Sequence, residues 1–293
     1  MTDVATDLHG HSRFSDARVT PEEYVAVRAR AGRTLIALSD HDVLAGVARA
    51  AAAARSAGVL LLPALEATSF VSFGQSDAEQ WHILAYYPHA ALADLTERAF
   101  YRRGLRVQAA WRAFVLNWLD GLASDDRAAI VDAQGEGDTT LAALSPAEFP
   151  GLITLIDRIL ARRRALYQPF IGHHVRFWAE DRDLFGWSPE ELCDAIRADG
   201  AIDVVAHPAR YRDKDRLARV LLGASGVEVY TSRHRPEWAA RFRAFAEAND
   251  KLWTASTDDH QVKPYEPPPC GTPRATAERL FGGPLPRAEA TPG

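Results

Sequence analysis

The chain has 293 residues, 47% of them hydrophobic and 25% charged, with a net charge of −5. That length supports a sizeable core, while the modest acidity excludes a broad electrostatic surface for duplex DNA or anionic membrane and still allows a small basic pocket. No apolar run approaches the ~18 residues of a membrane span. Residues 1–7 lack a secretory start, and Cys193 and Cys270 form no CxxC, so a reducing, cytoplasmic setting is expected.

Residues 4–8 read as a short strand. Pro21 opens a helix over 22–30 with Thr20 as its N-cap, and Gly32 stops it. A strand-like run at 34–38 precedes an alanine-rich helix at 44–57, closed by Gly58. Residues 59–62 lead through Pro63 and Ala64 to Leu65 and Glu66, and 81–87 form another strand. Short strands alternating with helices predict a parallel or mostly parallel sheet. From about residue 90 the rhythm changes: 98–122 and 146–167 read as long helices, joined by a polar stretch with Gly135, Glu136, Gly137 and Asp138. This strand-free region, 90–195, is expected to be a helical insertion between barrel segments 1–89 and 196–293. It is rich in arginine (Arg102, Arg103, Arg106, Arg112, Arg158, Arg162, Arg163 and Arg164), either a solvated helix face or side chains hanging over an anion site. Strands at 201–206, 227–230 and 252–256 then alternate with helices at 213–222 and 236–248. The proline-rich tail after Lys263 is expected to wrap the surface, apart from a short helix at 276–280.

Position makes the ligand-type residues informative. His9 and His11 end the first strand, Asp40, His41 and Asp42 the second, and Glu66 the third. His207 and the run Asp258, Asp259, His260 end two later strands, whereas His82 lies early in its own. C-terminal strand ends in a parallel architecture share one face, which gathers these groups in one place. The HxH spacing points two imidazoles the same way. Nitrogen and oxygen donors without a thiolate favour zinc, manganese or iron over an Fe–S or structural zinc site. Six histidines and up to three carboxylates exceed one tetrahedral ion and suit two or three divalent ions with a shared carboxylate, a cluster able to ionise water and clamp a phosphoryl group. Signatures of P-loop, dinucleotide, HExxH and serine-elbow chemistry are absent, and the cysteine placement excludes a zinc deaminase.

Segments DLHGHSRFSDARVTPEEYV at 7–25, LIALSDHDVLAGVARA at 35–50, LLPALEAT at 61–68, WHILAYY at 81–87, VVAHPARY at 204–211 and STDDH at 256–260 resemble the PHP family of metal-dependent phosphoesterases. Within it, the chain is similar to the stand-alone branch acting on nucleoside 3′,5′-bisphosphates and on the 5′ ends of short RNAs. The resemblance implies an α/β fold, a distorted (βα)7 barrel with a helical insertion, and a trinuclear site. His9, His11, Glu66 and Asp258 would hold one ion; Glu66, His82 and His207 a second; Asp16, His41 and His260 a third. Asp16 follows from the resemblance alone. The chain departs from that branch at Tyr167–His174, where a Thr-Arg-Pro-His-type segment is usual, and at 261–264, in place of a Gly-rich continuation.

These readings predict hydrolysis of a phosphomonoester by a metal-activated hydroxide, with the 3′-phosphate of a nucleoside 3′,5′-bisphosphate or a similar small metabolite as substrate. Glu66, Asp258, Arg210 and His234 are the expected catalytic residues. Arg210, three residues past His207, is expected to fork onto phosphate oxygens with Arg233 and His234 beside it. A phosphodiesterase acting on short single-stranded RNA or a small cyclic diester is the second reading. A non-catalytic metal-binding module would be marked by lost ligands, and every ligand position is filled.

Overall fold

The computed structural model describes residues 3–133, 139–261 and 263–286; the stretch at 135–138 noted above lies outside them. Among the described residues, nine strands occur in the order β1 (Asp3–Val4), β2 (Thr6–Asp7), β3 (Leu35–Leu38), β4 (Leu60–Val71), β5 (Glu79–Tyr86), β6 (Ile202–Val205), β7 (Gly226–Tyr230), β8 (Leu252–Ala255) and β9 (Thr272–Pro273). Strands β2 to β8 form one seven-stranded sheet in chain order. Its two edges are drawn together beyond the strand ends: Gly10 bridges Asp259 in parallel, and the Asp258 N–H donates to the His9 carbonyl at 2.9 Å. The sheet is thereby a nearly closed barrel surrounded by helices.

The period-two alternation of the strands sorts side chains between two surfaces. Ile36, Leu61, Leu65, Ile83, Val205, Val227 and Val229 pack outward in the large cluster shared with the helices. Leu35, Leu62, Ala64, Leu84, Tyr86 and Val204 pack in a second cluster that fills the barrel floor. Continuing the inner parity upward along β4, β5 and β7 reaches Glu66, His82 and Glu228.

One expectation about the sheet changes: the single strand at 4–8 is broken at Ala5, because β1 pairs antiparallel with β9 while β2 pairs parallel with β3. The sheet is mostly parallel, as expected, with β5 running antiparallel to both β4 and β6. Reversal of β5 accounts for His82: the start of a reversed strand lies at the same end as the finish of its neighbours, and His82 pairs with Thr68 near the end of β4.

The helices on either side follow their capping signals. Thr20 and Glu23 form a capping box for helix Pro21–Arg30, and Gly58 ends Val47–Ala57 in the left-handed conformation. The expected long helix over 98–122 is Ala99–Asp120, starting where its first N–H groups meet the carboxylate of Asp199, at the barrel floor. The other, over 146–167, is interrupted: a helix covers Leu152–Arg162, Arg163 leaves helical geometry, and a new helix runs Tyr167–His174. Phe114, Val115, Leu119, Leu155, Ile159, Phe170, Phe177 and Phe185 form a third cluster, joined from the barrel segment by Val43. Helix Pro189–Ala198, which the expected boundary at 195 divides, instead packs on β4, β5 and β6. The tail does more than wrap the surface: β9 joins β1, and Ala277 and Leu280 of helix Arg274–Phe281 plug the barrel floor. No helix among the described residues is long and apolar enough to cross a membrane.

Candidate metal centre

Glu66 sits fully buried at the centre of the open barrel end. Its Oε2 lies 3.2 Å from His9 Nε2, 3.4 Å from His11 Nε2 and 3.0 Å from His41 Nδ1. Its Oε1 lies 3.0 Å from His82 Nδ1 and 2.9 Å from His207 Nε2. Asp258 Oδ1 approaches His11 Nε2 at 3.3 Å and His9 Nε2 at 3.6 Å, while Asp16 Oδ2 meets His260 Nε2 at 3.2 Å and His41 Nε2 at 3.5 Å. All nine residues named from the sequence as metal ligands therefore converge. Three compact groups stand out among the described residues: His9, His11, Glu66 and Asp258; His11, Asp16, His41 and His260; and His41, Glu66 and His82. The grouping differs from the expected partition in sharing His11 and His41 between groups, and His207 reaches the cluster through Glu66.

The donor atoms fit cations. His9 Nε2, His11 Nδ1, His41 Nδ1, both ring nitrogens of His82 and Glu66 Oε2 are buried without a hydrogen-bond partner. Six such atoms facing one another would be costly as plain polar groups, whereas coordination satisfies them together, so the cluster is able to bind metal. Protonation states agree at two of the buried rings. Burial, with His260 and His41 nearby, holds His11 down to about 3, and burial outweighs Glu66 at His82, which falls to about 4. Both present neutral imidazoles. Although burial opposes their charge, Glu66, Asp16 and Asp258 are held well below the usual carboxylate range by the surrounding histidines.

A supporting shell orients these ligands. Glu228, inward on β7 and fully buried, accepts from His9 Nδ1–H at 2.9 Å through Oε1, and from the His207 backbone N–H at 2.6 Å through Oε2. The first contact fixes the His9 tautomer so that Nε2 faces the cluster. The second holds His207 at φ 29, a left-handed conformation that a histidine adopts only when its surroundings impose it. Sequence reading missed Glu228, although a glutamate in the middle of the apolar strand Gly-Val-Glu-Val-Tyr was the available signal. Asp40 accepts from the Ser12 N–H and both the Ser12 and Ser15 hydroxyls at 2.7 Å, which pins the loop that presents Asp16. Asp42 accepts from the Thr68 N–H at 2.8 Å and Arg103 at 2.9 Å. Buried Arg28 links Asp7 at 2.9 Å and Asp259 at 3.3 Å. Its Nη2 would lie 2.7 Å from a Cβ at position 10, so any side chain larger than the glycine of the HxH motif would have to displace Arg28. These four aspartates thus brace the ligands.

The three residues expected to meet phosphate part company. Arg210, on the turn Pro208–Arg210, is exposed, lines the cavity above the cluster and makes no side-chain hydrogen bond or ion pair among the described residues. Arg233 lines the same cavity with its Nε on Asp258 Oδ2. His234 is a correction: it is not in the cavity wall, its Nδ1–H donates to the Val229 carbonyl at 2.8 Å, and its Nε2 accepts from the Ala209 N–H at 3.4 Å. With both nitrogens on backbone it braces the Arg210 turn. The cavity holds about 410 Å³, within the ~300–1,000 Å³ usual for small-molecule sites. Its roof comes from the insertion: Trp111, Phe149, Leu152, Phe177 and Trp178.

A family model for the PHP domain matches residues 7–186. The chain belongs to the PHP family. As a PHP phosphoesterase it is a metal-dependent hydrolase, and its nearly closed barrel is the distorted (βα)7 barrel of the PHP type. A 3′,5′-nucleoside bisphosphate phosphatase of Chromobacterium violaceum is 26% identical over 273 residues, covering 87% of this chain and 86% of that relative. A 5′-3′ exoribonuclease of Escherichia coli is 25% identical over 274 residues, covering 89% and 87%. A structure from Bifidobacterium adolescentis, assigned as a metal-dependent phosphoesterase, matches the PHP barrel and insertion with a TM-score of 0.64 at 22% identity, across 97% of this chain and 98% of that one. At that identity the likeness speaks for the fold alone.

Proposed function

We propose that this PHP phosphoesterase removes the phosphate from a small phosphomonoester, with the 3′-phosphate of nucleoside 3′,5′-bisphosphates, named in the Chromobacterium violaceum relative, as the nearest precedent. The observation that carries the reading is the walled cavity. The cluster forms its floor, the unpaired Arg210 stands at its side, and the insertion's aromatic roof limits how far a polymer could run beyond the scissile bond. The proposed ligands are His9, His11, Asp16, His41, Glu66, His82, His207, Asp258 and His260, holding two or three divalent ions of manganese, iron or zinc. When bound, such ions lower the pKa of water and neutralise charge on phosphoryl oxygens.

The chain's own groups do the rest. Arg210 presents a fork of N–H donors to equatorial phosphate oxygens, as no competing carboxylate holds it. Asp258, ionised and tied to Arg233, is positioned beside His9 and His11 to accept a proton from an attacking water. Glu66 carries the negative charge shared across the centre. Glu228 keeps His9 in the ligating tautomer.

The E. coli relative's name supports a second reading, cleavage of short RNA from its 5′ end. A metal-reconstituted screen of nucleoside 3′,5′-bisphosphates, mononucleotides, sugar phosphates and short 5′-phosphorylated RNAs decides between them. Phosphate release from the small esters is expected; activity confined to RNA overturns the monoesterase reading. Elemental analysis after anaerobic purification should find at least two transition-metal equivalents per chain, and full activity with one would remove the cluster model. Glu228→Gln keeps the shape but not the charge behind His9. It should weaken metal binding by roughly 10-fold or more in chelator competition, and an unchanged affinity would reduce Glu228 to a backbone brace.

A further inference from the structure

The cavity above the cluster is electrically lopsided. Among the described residues, Arg210 and Arg233 are the only lysine or arginine side chains in its wall, and Arg233 is engaged by Asp258. Both belong to the barrel side, next to the cluster. The insertion's arginines turn elsewhere. Arg103 bonds Asp42 and the Leu184 carbonyl, Arg112 the Leu144 and Ala142 carbonyls, Arg158 the Ile130 carbonyl, and Arg163 pairs with Asp126.

What the insertion does present is mainly apolar and aromatic, with one imidazole, that of His174, whose Nδ1 is held by the Ile171 carbonyl at 2.8 Å. Trp111 meets Phe177 edge-on at 5.3 Å between centroids, Phe177 meets Trp178 at 5.4 Å, and Leu152 and Phe149 continue the surface. The Trp111 indole N–H is already donated to the Pro150 carbonyl at 2.9 Å, leaving the roof its ring surfaces. Uncharged Gln80 and Gln108 supply amides beside it. A ring can stack or pack there, with the amides meeting its heteroatoms. A second phosphate would lose its hydration against that roof with no lysine or arginine to replace it.

We infer that the leaving group is an aromatic or otherwise apolar ring carrying no second phosphate, because an aromatic roof without lysine or arginine faces the ligand cluster across one small cavity. This rests on the phosphomonoesterase reading and narrows it to singly phosphorylated ring-bearing alcohols. Selection against the doubly charged analogue comes from the desolvation it would suffer.

The test compares adenosine 3′-phosphate with adenosine 3′,5′-bisphosphate as substrates of the manganese-reconstituted chain. The monophosphate should be preferred at least tenfold in kcat/KM. Val175→Arg, at a rim position 59% exposed and so tolerant of the change, places a guanidinium at the cavity mouth and should move that ratio toward the bisphosphate at least fivefold. Equal efficiencies, or a bisphosphate preference in the unaltered chain, overturn the inference and leave the monoesterase reading standing. Release of phosphate from neither compound, with cleavage of RNA, overturns that reading and the inference with it.

Discussion

Glu66→Gln is expected to strip the chain of both activity and bound metal. Five imidazole nitrogens lie between 2.9 and 3.4 Å from the two Glu66 oxygens, a density matched by no other carboxylate in the cluster. A glutamine fills the same volume, so the barrel should stay folded. It removes the one negative charge common to two of the three compact ligand groups, and offers N–H donors where acceptors are required. Loss of at least one metal equivalent should accompany a fall in kcat/KM of about 10²–10³ or more, by comparison with removal of a single transition-state stabiliser. Thermal unfolding of the metal-free variant checks that the fold is intact. Near-normal metal content and turnover would show that the bridge has been assigned to the wrong residue.

The second large effect is expected at Arg210. It stands three residues beyond His207 on a turn stiffened by Pro208 and braced by His234. Unlike Arg233, it has no carboxylate partner among the described residues, which leaves its guanidinium for the proposed substrate phosphate. Removing a donor of this kind costs roughly 2–4 kcal/mol, or roughly 30- to 1,000-fold in kcat/KM. Arg210→Ala should show that loss with full metal content. Arg210→Lys should recover little, because an ammonium cannot form the planar fork. If the contact is already made in the bound substrate, KM rises; if it tightens as charge develops, kcat falls. Unchanged efficiency would mean that the side chain faces away from the chemistry, and lost metal would mean that its role is structural.

Most of the candidate ligands were legible in the sequence because they sit where an apolar run meets a polar turn, whereas Asp16, in a loop, came from the family resemblance alone. Strand direction was harder to read, since pairing is a property of two segments. Yet the signal existed for β5: Val71 and Glu79 bound a connection too short for the crossover that parallel neighbours need, roughly a dozen residues or more, so a hairpin was required. Glu228 was hidden because its strand reads as an apolar run, and only barrel curvature makes its inner face a wall of the site. The clustered aspartates looked equivalent in sequence. Their separation into ligands and braces depends on Arg28, Arg103, Ser12 and Thr257, which come from distant segments. His234 looked like a site residue for the same reason in reverse, its ring being turned onto backbone by local geometry.

The reversed strand also bears on how such an enzyme can change its diet. Because β5 finishes at the barrel floor, the chain leaves there and climbs back along Ala99–Asp120, a rod of roughly 33 Å at 1.5 Å per residue. That rod is fastened low by Asp199 and higher up by Arg103 on Asp42, where Gly104 also presses against the Asp42 backbone. Residues beyond those fastenings supply most of the roof, and the proposed metal ligands all lie outside residues 90–195. The roof can therefore be rebuilt, by drift or by grafting, without replacing a residue of the cluster, provided that the bond from the Leu152 N–H to the Ser15 carbonyl, beside Asp16, is kept. A hydrolase built on this plan can keep its chemistry through repeated exchanges of clientele.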